Sequence, residues 1–153
     1  MTRRVYLLRH GEAGYAVSDP ERELTDTGRI DTAAVVEQQV QSLFNVDRIV
    51  SSPYLRAQQT ATIAQSFLPQ QFSIEPSELL VPEAKPSALI EWVEGQSGHI
   101  LLVGHNPLLT RVLNLWIGVD ETREHMDTSS LAAVEFSISA AGCANLVWIR
   151  HRL

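Results

Sequence analysis

Hydrophobic positions along this chain switch between an unbroken period and a helical one, and each switch predicts an element. Val5-Tyr6-Leu7-Leu8 is an uninterrupted apolar run rich in strand formers, and it leads straight into Arg9, His10 and Gly11. A buried strand therefore delivers a cation and an imidazole to its carboxyl end, where the glycine permits a sharp turn. Residues 11–24 lack periodicity and read as a polar loop. Thr25, Asp26 or Thr27 can cap a first helix that runs to about Phe44, with Ile30, Ala33, Ala34, Val40, Leu43 and Phe44 as its apolar stripe. A short strand, Arg48 to Ser51, ends at Ser52-Pro53, and serine before proline predicts a second helix from Pro53 to about Leu68.

Phe72 to Glu75 has the composition of a short edge strand, and the proline-rich stretch 76–86 reads as loop. A third helix spans Ser87 to Glu94 and buries Leu89, Ile90 and Val93. His99 to His105 holds the most hydrophobic run of the chain, the signature of a central parallel strand covered on both faces. Asn106-Pro107 repeats the cap-plus-proline pattern before a fourth helix, Pro107 to Ile117, which stops at Gly118. After a charged loop, 119–128, the residues Ala132, Val134, Phe136 and Ile138 alternate with Ala133, Glu135 and Ser137 at strand period. Ala141-Gly142 then turns the chain into a last strand, Leu146 to Arg150. The order βαβα(β)αβα followed by two strands predicts a three-layer α/β/α sandwich around a mostly parallel sheet.

Length and charge narrow the function. The 153 residues suit one domain, 1–153, and the net charge of −6 argues against a nucleic-acid partner. No apolar run approaches the length of a membrane span, so no membrane partner is expected, and the N-terminus has no signal-peptide core. Cys143 is the single cysteine, which fits a reducing compartment, and the expected location is the cytoplasm.

The chemistry lies where three strand ends meet. Arg9 and His10, Ser52 and Arg56, and Gly104-His105 share one sheet edge if their strands are parallel neighbours, and two helix starts point there as well. Two guanidiniums and two imidazoles in an acidic protein form an anion pocket whose best guest is a tetrahedral phosphoryl group. Cations beside His10 would keep it neutral and nucleophilic at pH 7. A zinc site built on His10 and His105 would need a third ligand from His99, His125 or His151, and the spacing matches no metal site. No metal or cofactor is therefore expected.

Leu8-Arg9-His10-Gly11-Glu12-Ala13, Leu24-Thr25-x-x-Gly28, Ser51-Ser52-Pro53-x-x-Arg56-Ala57-x-x-Thr60 and Val103-Gly104-His105-Asn106-Pro107 together resemble the histidine phosphatase superfamily. The small size and the Thr128-Ser129-Ser130 segment resemble its SixA-type phosphohistidine phosphatases. That resemblance implies a phosphoglycerate-mutase-like fold and His10 as the residue that becomes phosphorylated. Arg9, Arg56 and His105 would hold the phosphate, with Gly11 and Asn106 beside them, and inorganic phosphate or sulfate would fit the same pocket. The partner would be a phosphohistidine-bearing protein, a phosphotransfer domain or carrier. A small-molecule phosphomonoesterase and a non-catalytic phospho-binding module are the competing functions.

Two departures from the larger members follow from the same comparison. Their polar phosphate contact six residues after the nucleophile is Ala16 here, and their acid-bearing lid insertion is absent. Glu83 is the favoured proton donor, with Glu78 and Glu12 as alternatives. Without a lid the pocket is expected to be open enough for a phosphorylated side chain of another protein.

Overall fold

The computed structural model describes residues 2–153 as a mixed six-stranded sheet with helices on both faces. Its strands are β1 (Arg3–Arg9), β2 (Arg48–Ser51), β3 (Glu75–Pro76), β4 (Ile100–Gly104), β5 (Leu131–Phe136) and β6 (Asn145–Arg150). Its helices are α1 (Asp26–Gln38), α2 (Leu55–Ser66), α3 (Pro86–Glu94) and α4 (Leu108–Ile117). The strand order is β3-β2-β4-β1-β5-β6, parallel from β3 to β1, with β5 antiparallel to both of its neighbours. This is the phosphoglycerate-mutase-like α/β architecture expected from the sequence.

The unbroken apolar runs lie at the centre. β1 and β4 pair in register from Val5–Ile100 to Arg9–Gly104, and alternate residues feed opposite layers. Val5, Leu7, Ile100 and Leu102 pack under α3 and α4, whereas Tyr6, Leu8, Leu101 and Val103 pack under α1 and α2. α2 approaches the sheet through Ala57, Ala61 and Ala64, all fully buried. Small side chains there let the helix lie close, and this brings Arg56 down to the strand ends.

Several boundaries differ from the periodicity reading, for local reasons. α1 ends at Gln38 rather than near Phe44, and a separate 3-10 turn, Ser42–Asn45, follows. Ile30 and Phe44 are exposed, and the buried face of α1 is Gly28, Thr32, Val35 and Val36. Polar Thr32 and side-chain-free Gly28 are invisible to a hydrophobic count, so the face that such a count selects differs from the one that is buried. The edge strand β3 starts at Glu75 instead of Phe72, and a 3-10 turn, Glu78–Leu80, lies within the expected loop. β5 ends at Phe136, leaving Ile138 exposed. α2 and α4 begin one or two residues beyond their prolines, and the Asn106-Pro107 peptide is cis.

Candidate active site

Backbone bonds gather the three strand ends. His10 N–H donates to the Gly104 carbonyl at 3.0 Å and Ser52 N–H to the Val103 carbonyl at 2.9 Å. From the antiparallel side, Ser129 N–H lies 3.2 Å from the Arg9 carbonyl and 3.1 Å from that of His10. Ser129 achieves this with φ of 62°, a left-handed conformation that a serine adopts only when its surroundings hold it. Its hydroxyl lies 2.9 Å from that of Thr32, with both residues fully buried.

Gly11 is a packing glycine. A Cβ there would lie 2.7 Å from the Gly28 carbonyl and 2.8 Å from the Thr32 hydroxyl, and one on Gly28 would overlap Glu12. The two glycines therefore let the turn after β1 sit directly on the first turn of α1. Thr25 caps that turn, accepting from Gly28 N–H at 3.0 Å and donating to the Glu12 carboxylate at 2.9 Å. The spaced motifs of the sequence are thus one contact.

His10 is 7% exposed at the end of β1. Its Nδ1 lies 2.7 Å from the Gly11 carbonyl, which can only accept, so Nδ1 carries the proton and Nε2 bears the free lone pair. Arg56 Nε donates toward that lone pair from 3.4 Å. Burial pushes the imidazole down to about 4; the Gly11 bond opposes this, and the charges of Arg56, Arg9 and Arg22 reinforce it. Desolvation, more than the neighbouring cations that the sequence points to, keeps the ring neutral. His10 is neutral throughout the physiological range.

The second imidazole is poised differently. His105 Nε2 lies 2.7 Å from the Ser52 hydroxyl, which also accepts from Tyr54 N–H at 3.1 Å. The pairing that leaves fewest groups unsatisfied has Ser52 donating to Nε2, so the His105 proton sits on Nδ1. That Nδ1 is buried without a partner among the described residues. Burial, then the neighbouring His10 and Arg56, push this imidazole down to about 3. The two rings are 5.0 Å apart between centroids, and Tyr54 packs edge-on against His105 at 4.9 Å.

The arginines complete the pocket. Arg9 donates through Nη1 to the Met126 carbonyl at 2.9 Å, and its Nε is buried with no partner among the described residues. Arg56 is 4% exposed and spans the site, donating to the Asp19 carbonyl at 2.7 Å and to its carboxylate at 3.2 Å. Buried donors without acceptors are costly, and an anion beside His10 would satisfy both the Arg9 Nε and the His105 Nδ1. The neutral lone pair beside them has the chemistry a nucleophile needs.

Arg9, His10, Arg56 and His105 are therefore brought together. Asn106 and Gly11 are placed otherwise. The Asn106 carboxamide donates to the Met126 carbonyl at 2.8 Å and accepts from Thr110 N–H at 3.2 Å, so it braces the carbonyl that also holds Arg9. Gly11 N–H donates to Thr60 Oγ1 at 3.2 Å. Glu83 is exposed beyond Tyr54, whose phenol is raised by burial first and by the Glu83 and Asp19 charges next. Glu12 is engaged with Thr25. The remaining histidines have other partners: His99 with the Arg4 backbone, His125 with Asp127, and His151 with Ser130. Nothing in the sequence marks Asp19, because a lone aspartate in an aperiodic loop carries no signal of the arginine that folds against it.

The family model for the histidine phosphatase superfamily (branch 1) matches residues 5–78, which carry the first three motifs of this site. The chain belongs to that superfamily. An uncharacterized protein of Picosynechococcus is 31% identical over 149 residues, covering 90% of this chain and 86% of its own. The phosphohistidine phosphatase SixA of Escherichia coli is 29% identical over 152 residues, covering 93% and 91%. A solved structure of the protein histidine phosphatase SixA, complexed with tungstate, superposes with a TM-score of 0.86 at 25% identity, covering 97% of this chain and 96% of its own. The superfamily member described here is thus SixA-like over nearly its whole length. No helix among the described residues is long and apolar enough to cross a membrane.

Proposed function

We propose that this chain removes the phosphoryl group from a phosphohistidine on another protein, through a covalent intermediate on His10. The observation that carries the reading is the His10 tautomer: Nδ1 is tied to the Gly11 carbonyl, and the neutral Nε2 lone pair faces Arg56 at 3.4 Å. In the first step Nε2 attacks phosphorus, a new N–P bond forms, and the N–P bond of the substrate breaks with its electron pair going to the departing imidazole. Arg9, Arg56 and the His105 Nδ1–H stabilise the equatorial oxygens as charge spreads over them. Water then attacks the phosphohistidine, releasing inorganic phosphate and restoring neutral His10.

The phosphoramidate substrate is supported by the state of Asp19, the carboxylate bonded to Arg56. Burial pushes Asp19 up, but hydrogen bonds from Arg22 and Arg56 and their charges outweigh it, holding the carboxyl below its ordinary value. An ionised carboxylate cannot protonate an alkoxide, whereas an imidazole needs no such acid to leave. The likeness to SixA points to the same substrate class. A panel comparing a phosphorylated phosphotransfer domain with sugar phosphates, with acid-quenched trapping of the phosphoenzyme, tests this. A stoichiometric burst and faster turnover of the phosphoprotein are expected. Sugar phosphates turning over faster would overturn it in favour of a small-molecule phosphomonoesterase. Tight phosphoprotein binding without any burst would mark a binding module.

A further inference from the structure

Asp19 stands between the catalytic pocket and a second feature that the reaction as described does not use. Its carboxylate accepts from Arg56 on one side at 3.2 Å and from Arg22 on the other at 3.2 Å. Arg22 is itself fixed by the Gly14 carbonyl at 2.8 Å and the Ala13 carbonyl at 3.3 Å. The Asp19 side chain remains half exposed, where it lines a cleft of about 420 Å³ with Ala13, Gly14, Tyr15, Ala16 and Arg22. Through Asp19 that cleft is one hydrogen bond from the Arg56 guanidinium, whose Nε faces His10 Nε2. A carboxylate with two cations on its flanks and unused lone pairs toward solvent is an acceptor for one more N–H.

We propose that Asp19 recognises the leaving group: its carboxylate accepts a hydrogen bond from the ring nitrogen of the substrate imidazole that does not carry phosphorus. This rests on the phosphohistidine reading above and assigns the residue that selects for it. The chemistry balances without a proton transfer. The substrate ring enters with its distal nitrogen protonated; the N–P bond breaks toward the ring, and neutral imidazole departs with its distal N–H still donated to Asp19. A ring lacking that proton would have to leave as an imidazolide, a far poorer leaving group. Asp19 thus favours the reactive form of the substrate. It offers nothing to an alkoxide oxygen, which has no N–H to donate.

The ionisable groups facing Asp19 are Arg22 on its own loop, Arg56 and Tyr54 at the start of α2, and His105 behind Tyr54. His105 is neutral in the working range. A change in the alkaline limb of kcat therefore reports the bound substrate ring.

The test compares wild-type enzyme with Asp19→Asn, which keeps the shape, while the Asp19 main-chain carbonyl still holds Arg56 in any variant. The probes are phosphoimidazole, which has the distal N–H, and 4-nitrophenyl phosphate, which does not. Loss of a charge-assisted bond should lower kcat on phosphoimidazole about 10-fold more than on the aryl ester. The alkaline limb of kcat on phosphoimidazole should also move to lower pH by about 1 pH unit, because the stabilised cationic ring loses its counter-charge. Asp19→Glu should restore part of both effects. Equal losses on the two probes, or an unmoved alkaline limb, would show that Asp19 only positions Arg56 and overturn the proposal. Wild-type enzyme inert toward phosphoimidazole and phosphohistidine alike would overturn the substrate reading itself, a result visible before any variant is made.

Discussion

Arg56 Nε lies 3.4 Å from Nε2 of His10, a contact in which a permanent cation faces a ring nitrogen. Only a neutral imidazole accepts that neighbour. The ring signals of His10 should therefore stay flat by NMR from pH 8 to about 5 and move only near the depressed value of about 4. A midpoint near the ordinary 6.5 would show that the ring is solvated and charged in the resting enzyme.

The same depression makes a statement about stability. His10 and His105 are lowered to about 4 and about 3, so below pH 6.5 the unfolded chain takes up protons that the folded chain refuses. Stability contributed by their neutral forms is complete above pH 6.5 and declines as the pH falls toward 4. A shift of the size seen at His10 corresponds to something on the order of 3 kcal/mol across that window. Denaturant titrations at pH 7.5, 5.5 and 4.5 should show the decline, and it should be shallower in His10→Ala. An equal slope in the variant would assign the acid sensitivity elsewhere.

His10→Ala should abolish turnover and the trapped phosphoenzyme. Arg9→Ala, Arg56→Ala and His105→Ala should each cost about 10²–10³ in rate by removing a donor to the transition state. Steady-state kinetics with circular dichroism as a fold control would decide this. A phosphoenzyme surviving in His10→Ala, or a near-normal rate in Arg56→Ala, removes the residue from its assigned role.

Gly28→Ala should destabilise the protein although alanine is the better helix former by about 1 kcal/mol. The added methyl would overlap the Glu12 backbone, and separating α1 from the catalytic turn should cost about 2 kcal/mol or more net. Thermal denaturation gives the sign directly: a raised midpoint would mean that the turn relaxes freely.

Glu83→Gln should change phosphohistidine hydrolysis by less than about 3-fold while slowing any alkyl-ester activity more. Glu83 is exposed beyond Tyr54, so it stands at the rim and not against the nucleophile. A large, equal loss on both substrates across pH 5–9 would make it a positioning group for the whole site.

The sequence by itself determined the frame of this protein. β1 and β4 are buried on both faces, so their apolar runs are unbroken; α3 and α4 carry clean stripes that end at Gly95 and Gly118. Strand ends followed by helix starts put Arg9, His10, Arg56 and His105 on one edge, because a parallel sheet aligns the carboxyl ends of its strands. Polar groups that meet only across the fold were left to the tertiary structure. The buried face of α1 is set by Gly28 against Gly11 and Thr32 against Ser129, contacts between residues that carry no hydrophobic period. The Met126 carbonyl that accepts from Asn106 comes within its reach only in the fold. Asp19 acquired meaning only when its loop closed onto Arg56. Periodicity records which residues leave water, and it holds no information on which donor finds which acceptor once they have.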